Sequence, residues 1–413
     1  MADELVAGVD CSTQGTKVLV VEAATGRVVA QGRAAHQVSG ADGARESDPD
    51  GWWTALREAL AATGMAGDVR AISIAGQQHG LVVLDGQGRA LRPAILWNDT
   101  RSAAEATRLV EALGRPAADP APTGSPLAGR PPESGPAPVT AVPLTPAPGP
   151  AAWATRIGSV PVASFTVTKW AWLRRMEPDV AAATRAIRLP HDYLTERLTG
   201  RGVTDRGDAS GTGWWSAPAG DYDDEVLGLA RVRLDRALLP QVLGPGEAAG
   251  MARAGAAAAL GLSPRVMVGP GTGDNMAAAL GLGLEPGEPV LSLGTSGTVF
   301  VVSARAAADP SGIVAGFADA TGRFLPLACT LNCTLAVDRI AAWLGLDREA
   351  VVPSDGVVVL PYLDGERTPN LPEAAGAIFG LRHGTAPGSI LMAAYEGALV
   401  SLLDGLDAIG AQM

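Results

Sequence analysis

Three short apolar segments joined by small polar turns occupy the first 35 residues and constrain the fold more than any other feature of the sequence. They read LVAGVD, TKVLVVEA and RVVAQGRA. Runs rich in Val between such turns predict three strands of a meander. Strands predicted at 69–75 and 80–84 then stand between helices predicted at 48–63 and 101–113. A meander followed by alternating strands and helices indicates an α/β domain.

The length and the charge of the chain limit what the protein can be. A chain of 413 residues exceeds the size at which one hydrophobic core stops growing, so two domains are expected. The net charge of −11 opposes binding to nucleic acid or to an anionic membrane. No signal peptide and no run of about 18 apolar residues is visible. We therefore expect a cytoplasmic protein whose three cysteines are reduced and buried.

The segment from about residue 115 to residue 162 differs in character from the rest of the chain. Twelve of the 31 prolines lie between residues 115 and 150, without aromatic residues. This composition predicts a flexible surface insertion without a catalytic role. Helices are predicted after it at 165–176, 189–199 and 388–409.

The turn after the first strand reads Asp10-Cys-Ser-Thr-Gln-Gly-Thr-Lys17. Backbone N–H groups and hydroxyls in such a turn can bind phosphate oxygens. Asp10 can hold a hydrated Mg²⁺, and Lys17 can neutralise a transferring phosphoryl group. An ordinary hairpin in which Asp10 caps the turn is the alternative, and this segment alone favours it.

A second turn of the same kind, Gly294-Thr-Ser-Gly297, joins strands predicted at 289–293 and 298–302. One turn is a weak signal, whereas two suggest two lobes that close on one phosphate chain. Neither turn has the spacing of a Walker A loop. A third glycine-rich stretch, Gly269-Pro-Gly-Thr-Gly-Asp274, leads into a helix of small residues. Asp274 is there either the N-cap of that helix or a catalytic base.

Several other polar and aromatic residues have only local interpretations. Lys169 lies on a predicted amphipathic helix, where a charge on the rim and a role in the cleft are equally supported. Asp205 and Asp208 are expected to order a loop, and Trp214 and Trp215 are expected to pack.

Six segments occur in a fixed order along the chain, and together they resemble the FGGY family of carbohydrate kinases. They are Asp10-Cys-Ser-Thr-Gln-Gly-Thr-Lys17, Ser73-Ile-Ala-Gly-Gln-Gln-His-Gly-Leu81, Ile95-Leu-Trp-Asn-Asp-Thr-Arg101, Gly273-Asp-Asn275, Leu291-Ser-Leu-Gly-Thr-Ser-Gly297 and Leu360-Pro-Tyr-Leu-Asp-Gly-Glu-Arg-Thr-Pro369. The similarity runs from the first predicted strand to the last helix, and only the proline-rich insertion interrupts it.

The resemblance implies a two-lobed actin/hexokinase-like (ribonuclease H-like) ATPase fold. Residues 1–283 are then the lobe that binds sugar and carries the base, and residues 284–413 the lobe that binds the nucleotide phosphates. Relatives continue with a strand, a glycine-rich turn and helices that hold adenosine, so we expect the second lobe to be incomplete after Met413.

The resemblance also implies roles for particular residues, with ATP and Mg²⁺ as cofactors. Asp274 becomes the general base that takes the proton of a sugar hydroxyl. The sugar-binding residues become Gln78, His79, Trp97, Asp99 and Asn275. The phosphate-binding residues become Asp10, Ser12, Thr13, Gln14, Thr16, Lys17, Gly294, Thr295 and Ser296, with Asp10 holding Mg²⁺ through water.

The segment Gly76-Gln-Gln-His-Gly80 favours the branch of the family that phosphorylates D-xylulose to D-xylulose 5-phosphate. A kinase for another ketose or polyol remains an alternative, as does a sugar-binding pseudokinase without an adenosine site. The expected partners are the sugar and ATP, with no nucleic acid and no membrane. A homodimer is left open.

Overall fold

The computed structural model describes residues 4–113, 148–369, 371 and 373–413. The strands before residue 284 are β1 Leu5–Cys11, β2 Gly15–Glu22, β3 Val28–Ala35, β4 Glu46–Ser47, β5 Val69–Gly76, β6 Val82–Leu84, β7 Ala94–Ile95, β8 Ala186–Arg188, β9 Val203–Asp205, β10 Trp215–Ser216, β11 Asp221–Tyr222, β12 Gln241–Leu243, β13 Gly250–Met251, β14 Met267–Val268 and β15 Thr272–Gly273. The helices of this part are α1 Pro49–Thr63, α2 Ala103–Ala112, α3 Pro148–Ile157, α4 Thr166–Met176, α5 Pro178–Ala183, α6 Pro190–Thr199, α7 Arg206–Ser210, α8 Asp224–Gly228, α9 Ala254–Ala259 and α10 Asp274–Gly281. The later strands and helices are β16 Pro289–Leu293, β17 Gly297–Val301, β18 Ala315–Ala318, β19 Phe324–Thr330, α11 Thr334–Leu344, β20 Val358–Leu360, β21 Ala377–Phe379 and α12 Pro387–Gln412.

One sheet organises the first lobe, in the order β13-β14-β5-β1-β2-β3, with β15 also paired to β5. The predicted meander is confirmed, because β1, β2 and β3 pair antiparallel in chain order. By contrast, β1, β14 and β15 all run parallel to β5. The register places Cys11 and Gly273 opposite the same residue, Gly76. Because parallel strands end at the same edge, the residues that follow β1, β5 and β15 meet there.

Helix α1 covers the meander and confirms the helix predicted at 48–63. The Asp48 carboxylate accepts a hydrogen bond from the Asp50 amide, which satisfies one of the free N–H groups of the first turn. Gly64 ends the helix in the left-handed conformation, with φ of 65°. Trp52 and Leu56 are fully buried in the core beneath the sheet.

The proline-rich insertion ends earlier than the sequence predicts. Residues 114–147 lie outside the described residues, so the predicted loop is not assessed there. Pro148–Ile157, however, forms α3, and the indole of Trp153 is buried and donates a hydrogen bond to the Leu109 carbonyl (3.0 Å). The extension of the insertion to residue 162 is therefore wrong, because this tryptophan attaches the segment to the core.

The sheet of the second lobe has the order β16-β17-β19-β18 and is antiparallel throughout. Helix α12 packs on it, with Leu402 and Ile409 buried. Among the described residues, α12 is the one helix that is long enough and apolar enough to cross a membrane. In its most apolar 18-residue stretch, 44% of the residues are buried. The expected absence of a membrane partner stays a prediction.

A hydrophobic cluster continues from one lobe into the other. Trp214 and Trp215 of the first lobe belong to the same buried cluster as Phe300 and Phe317 of the second. The prediction that both tryptophans pack is confirmed. Phe317 also lines the cavity between the lobes, so this cluster contributes part of the cavity wall.

Candidate active site

A cavity of about 210 Å³ lies between the two lobes, at the edge where β5 and β15 end. Its lining residues from the first lobe are Gln78, His79, Trp97, Ser164, Asp274 and Asn275. Those from the second lobe are Ser292, Ser296, Thr298, Phe317, Leu327, Cys329 and Arg367. The structure thus brings the predicted base, four of the five predicted sugar-binding residues and one residue of the second phosphate turn into one space.

Asp274 is the first residue of α10, and its side chain does not cap the helix, because Gly273 occupies the N-cap position. Its Oδ1 accepts hydrogen bonds from the backbone amide (2.8 Å) and the side-chain amide (3.1 Å) of Asn275. Burial raises the pKa of Asp274 to about 7, and the negative charges of Asp208 and Asp10 add to this shift. A carboxyl group with a pKa near neutrality is well suited to act as a general base.

Gln78 and Asn275 form an amide pair beside this carboxylate. The Asn275 side-chain amide donates to Gln78 Oε1 (2.8 Å), so the two side chains fix each other. Gln78 Nε2 is buried without a protein partner and can donate to a ligand. A Cβ on Gly273 would lie 2.7 Å from Gln78 Cγ, so only glycine lets β15 approach this closely.

His79 is held in one orientation and one charge state. Its backbone has φ of 65°, and its ring stacks on Phe165 with centroids 5.1 Å apart. Burial, with the charges of Lys169 and Arg367, lowers the pKa of His79 to about 3, so the ring is neutral. Its Nδ1 lies 2.7 Å from the Gly211 carbonyl oxygen, which can only accept. Nδ1 therefore carries the proton, and Nε2 is left to accept a hydrogen bond from a hydroxyl.

The first hairpin contacts a residue of the cavity wall, because the Thr13 hydroxyl accepts a hydrogen bond from Trp97 Nε1 (3.0 Å). A second space, of about 500 Å³, is lined by Asp10, Ser12, Gln14, Gly15, Thr16, Lys17, Arg33, Ala34 and Ala35. Partial burial raises the pKa of Asp10, and Lys17 opposes that shift. One exposed carboxylate among hydroxyls fits an Mg²⁺ ion that keeps most of its water, and no group of three or more His, Cys, Asp or Glu side chains in the described residues is placed to hold a metal ion.

The second turn rests on the start of helix α11. The Gly294 carbonyl accepts hydrogen bonds from the Thr334 amide (3.0 Å) and hydroxyl (2.7 Å). Gly294 and Thr295 are exposed, whereas Ser296 lines the interlobe cavity. The turn thereby reaches the same space as the base from the opposite lobe.

Two protein-family models, one for each lobe, match the chain. The model described as FGGY family of carbohydrate kinases, N-terminal domain, matches residues 5–127 and 151–281, and the corresponding C-terminal domain matches residues 290–413. The chain belongs to the FGGY family of carbohydrate kinases. It is 58% identical over 406 residues to a xylulose kinase of Streptomyces coelicolor, covering 98% of this chain and 76% of the relative. It is 34% identical over 420 residues to the xylulose kinase of Escherichia coli, covering 98% of this chain and 78% of that protein.

Solved structures agree with these sequence relationships. The structure of a xylulose kinase from Bifidobacterium adolescentis superposes with a TM-score of 0.81 at 37% identity, covering 100% of this chain and 83% of the other. The predicted two-lobed actin/hexokinase-like fold is thereby confirmed for this FGGY kinase, and so is its assignment as a carbohydrate kinase.

One predicted sugar-binding residue of this FGGY kinase does not reach the cavity. Asp99 is 2% exposed, and its carboxylate accepts hydrogen bonds from the Arg45 amide (2.8 Å), the Arg101 amide (3.0 Å) and the Arg101 guanidinium (2.6 Å). These donors occupy both of its oxygens. The structure therefore corrects the prediction and makes Asp99 an ion-pair partner of Arg101 that orders the turn after β7.

Sequence reasoning assigned no site role to several residues that line the cavity. Arg367 belongs to the recognised segment 360–369, but nothing in that segment shows where its side chain points. The Ser164 hydroxyl is buried and unpartnered, and the Lys169 ammonium donates to the Ser164 carbonyl. Lys169 is completely buried, and burial lowers its pKa to about 7, so the rim alternative is wrong.

A buried acidic cluster supports the turn that carries Asp274. His191 Nε2 lies 3.2 Å from Asp208 and 3.3 Å from Asp192. Burial opposes protonation of His191, but the carboxylates of Asp192 and Asp208 outweigh it and raise its pKa to about 9. Asp205 caps α7 and also accepts a hydrogen bond from Thr272 (2.7 Å), which immediately precedes Gly273. The predicted loop is instead the short helix α7, and the bond to Thr272 connects Asp205 to the strand that precedes Asp274.

Proposed function

We propose that this FGGY kinase transfers the γ-phosphoryl group of ATP to the C5 hydroxyl of D-xylulose, yielding D-xylulose 5-phosphate and ADP. The observation that carries the proposal is the position of Asp274, whose carboxylate lines the interlobe cavity beside Gln78, His79 and Asn275. The relatives named xylulose kinase indicate which sugar fills that cavity.

The chemistry begins with the acceptor hydroxyl. A primary alcohol is a poor nucleophile, and the Asp274 carboxylate accepts its proton as the oxygen attacks the γ-phosphorus. The bond from the γ-phosphorus to the β,γ-bridging oxygen breaks, and ADP leaves. Because burial and two acidic neighbours raise the pKa of Asp274 to about 7, this carboxylate is a stronger base than an exposed aspartate.

Three side chains orient the sugar for this step. Gln78 Nε2 donates, His79 Nε2 accepts, and Asn275 Oδ1 accepts while its amide group is bound to Gln78 and Asp274. Such a fixed set of donors and acceptors converts binding energy into alignment, which is most of what phosphoryl transfer requires.

The phosphate chain is expected between the two turns. Ser12, Thr13, Gln14, Thr16 and Lys17 would approach it from the first lobe, and Gly294, Thr295 and Ser296 from the second. Asp10 would hold Mg²⁺ through water, and the ion supplies charge neutralisation when it is bound. Enclosure of the cavity by both lobes excludes water that would otherwise hydrolyse ATP.

A sugar panel with coupled detection of ADP tests the proposal. We expect D-xylulose to give the highest kcat/KM among D-xylulose, D-ribulose and glycerol, in the presence of Mg-ATP. A preference for D-ribulose or glycerol would contradict the substrate. Calorimetric binding of D-xylulose without ADP formation would instead support a sugar-binding pseudokinase.

A further inference from the structure

The hydroxyl group of Ser164 lies in the wall of the interlobe cavity and has no partner among the described residues. Ser164 stands two residues before helix α4, and its Oγ is buried without a hydrogen bond. A buried hydroxyl that makes no hydrogen bond costs free energy. Because this hydroxyl belongs to a cavity wall, a ligand in the cavity can supply the missing partner.

The backbone on both sides of Ser164 is fixed by hydrogen bonds. The Ser102 hydroxyl donates to the Ala163 carbonyl (2.9 Å), just before Ser164. The Thr168 hydroxyl donates to the Phe165 carbonyl (2.7 Å), just after it. The Ser164 side chain therefore starts from a rigid support, which is what a binding residue requires.

A buried ammonium group adds a third attachment to the same turn. Lys169 is 0% exposed, and its ammonium donates to the Ser164 carbonyl. Because burial of an ammonium group is unfavourable, this hydrogen bond is part of what keeps the lysine in its place. Lys169 thus holds the Ser164 backbone from inside α4.

The two residues that follow Ser164 place it beside His79. The Phe165 ring stacks on the His79 imidazole with centroids 5.1 Å apart. The Thr166 hydroxyl donates to the His79 carbonyl (3.2 Å). The proposed function assigns His79 to the sugar, whereas the turns assigned to the phosphates lie between β1 and β2 and between β16 and β17. These contacts therefore associate Ser164 with the sugar-binding residues.

Sugar hydroxyls match this side chain, because each can both donate and accept a hydrogen bond, as the Ser164 hydroxyl can. Resting on the proposed function, we propose that Ser164 binds a hydroxyl of the sugar and that Lys169 is the positioning residue that holds Ser164 in place. The first lobe then offers the sugar a further polar side chain beside Gln78, His79 and Asn275.

Calorimetric titration with D-xylulose and its 1-, 3-, 4- and 5-deoxy analogues tests the contact without requiring turnover. Ser164→Ala should weaken D-xylulose binding by about 5- to 20-fold, because the sugar hydroxyl loses its partner in a buried site. The analogue that lacks this hydroxyl should bind the wild type and Ser164→Ala with affinities equal to within about twofold. Ser39→Ala removes an exposed serine hydroxyl, should leave every affinity unchanged, and is the matched control.

A double-mutant cycle tests the role of Lys169. Lys169→Met, which keeps an unbranched side chain and removes the ammonium, should weaken D-xylulose binding by about 3- to 10-fold. In the Ser164→Ala background the same change should weaken binding by less than about twofold, because no hydroxyl is left to position. An equal loss in both backgrounds would contradict the assignment of Lys169 as a positioning residue.

The outcomes separate the sugar from other ligands of Ser164. Unchanged D-xylulose binding by Ser164→Ala, or an equal loss for D-xylulose and every analogue, overturns the contact. Unchanged sugar binding with weaker binding of a non-hydrolysable ATP analogue also overturns it and assigns the hydroxyl to the phosphate chain. Equal unfolding midpoints of Ser164→Ala and Ser39→Ala exclude misfolding, and this comparison stands even where Lys169→Met does not fold. A wild-type protein that binds D-xylulose without forming ADP contradicts the proposed function, while the binding comparison still decides the role of Ser164.

Discussion

Replacement of Asp274 by asparagine is the most direct test of the chemistry. Asparagine keeps the shape of the side chain but cannot accept the proton of the sugar hydroxyl. General-base catalysis contributes about 10²- to 10⁴-fold in rate, so Asp274→Asn should lower kcat by that factor, equivalent to about 3–5 kcal/mol of transition-state stabilisation. D-Xylulose affinity should change by less than about threefold, because Gln78, His79 and Asn275 remain in place.

The pKa of Asp274 gives the same prediction a second readout. The base acts when deprotonated, and its pKa is about 7, so kcat/KM should fall about tenfold for each pH unit below 7 and level off above it. Asp208→Asn removes one of the charges that raise this pKa, so the midpoint should move to lower pH. Asp404→Asn, which changes an exposed aspartate, should leave the profile unchanged.

The assay is coupled detection of ADP at saturating Mg-ATP, with a coupling system shown not to limit the rate between pH 5.5 and 8.5. An Asp274→Asn variant that retains more than about a tenth of wild-type kcat would refute the role of the base. A wild-type kcat/KM that stays constant down to pH 5.5 would refute the argument from burial.

Three further predictions concern positions whose contacts the structure specifies. Asp99→Asn should lower the free energy of unfolding by about 3 kcal/mol in a denaturant titration, because a buried ion pair is broken. The affinity for D-xylulose should stay unchanged. A loss of affinity without a loss of stability would show that Asp99 binds the sugar. Trp97→Phe removes the hydrogen bond to Thr13 (3.0 Å) and should raise KM for ATP by up to about tenfold, whereas an unchanged KM would mean that the bond does not position the hairpin. Gly273→Ala places a Cβ 2.7 Å from Gln78 Cγ and should weaken sugar binding by about 1–3 kcal/mol in calorimetry; tight binding would show that the Gln78 amide is not needed.

Much of the site could be predicted because its residues follow directly from strand ends. Asp10 is the penultimate residue of β1, Gln78 and Asp274 stand just after β5 and β15, and parallel pairing to β5 brings those strand ends together. The turns and motifs that mark these positions are local in sequence. Patterns of this kind therefore placed the predicted base and four of the five predicted sugar-binding residues in the cavity that they line.

The remainder depends on contacts between residues far apart in sequence. Asp99 follows a predicted strand as Asp10 does, yet its carboxylate turns to Arg101 and the Arg45 amide, a choice that only the packed structure determines. Arg367 enters the cavity because Glu366 binds the end of β19. The helix Pro148–Ile157 was missed because its prolines and alanines resemble a linker, and only the burial of Trp153 makes it part of the core.

The aromatic contacts of His79 bear on how the molecule opens. Phe165 belongs to the first lobe and Phe317 to the second, and both rings lie against the imidazole, at 5.1 and 5.5 Å. A hinge motion that opens the interlobe cavity must either rotate about His79 or separate its ring from that of Phe317. Such a ring pair contributes about 1 kcal/mol. The chemical shifts of the His79 ring protons in an NMR spectrum would therefore report on the separation of the two lobes.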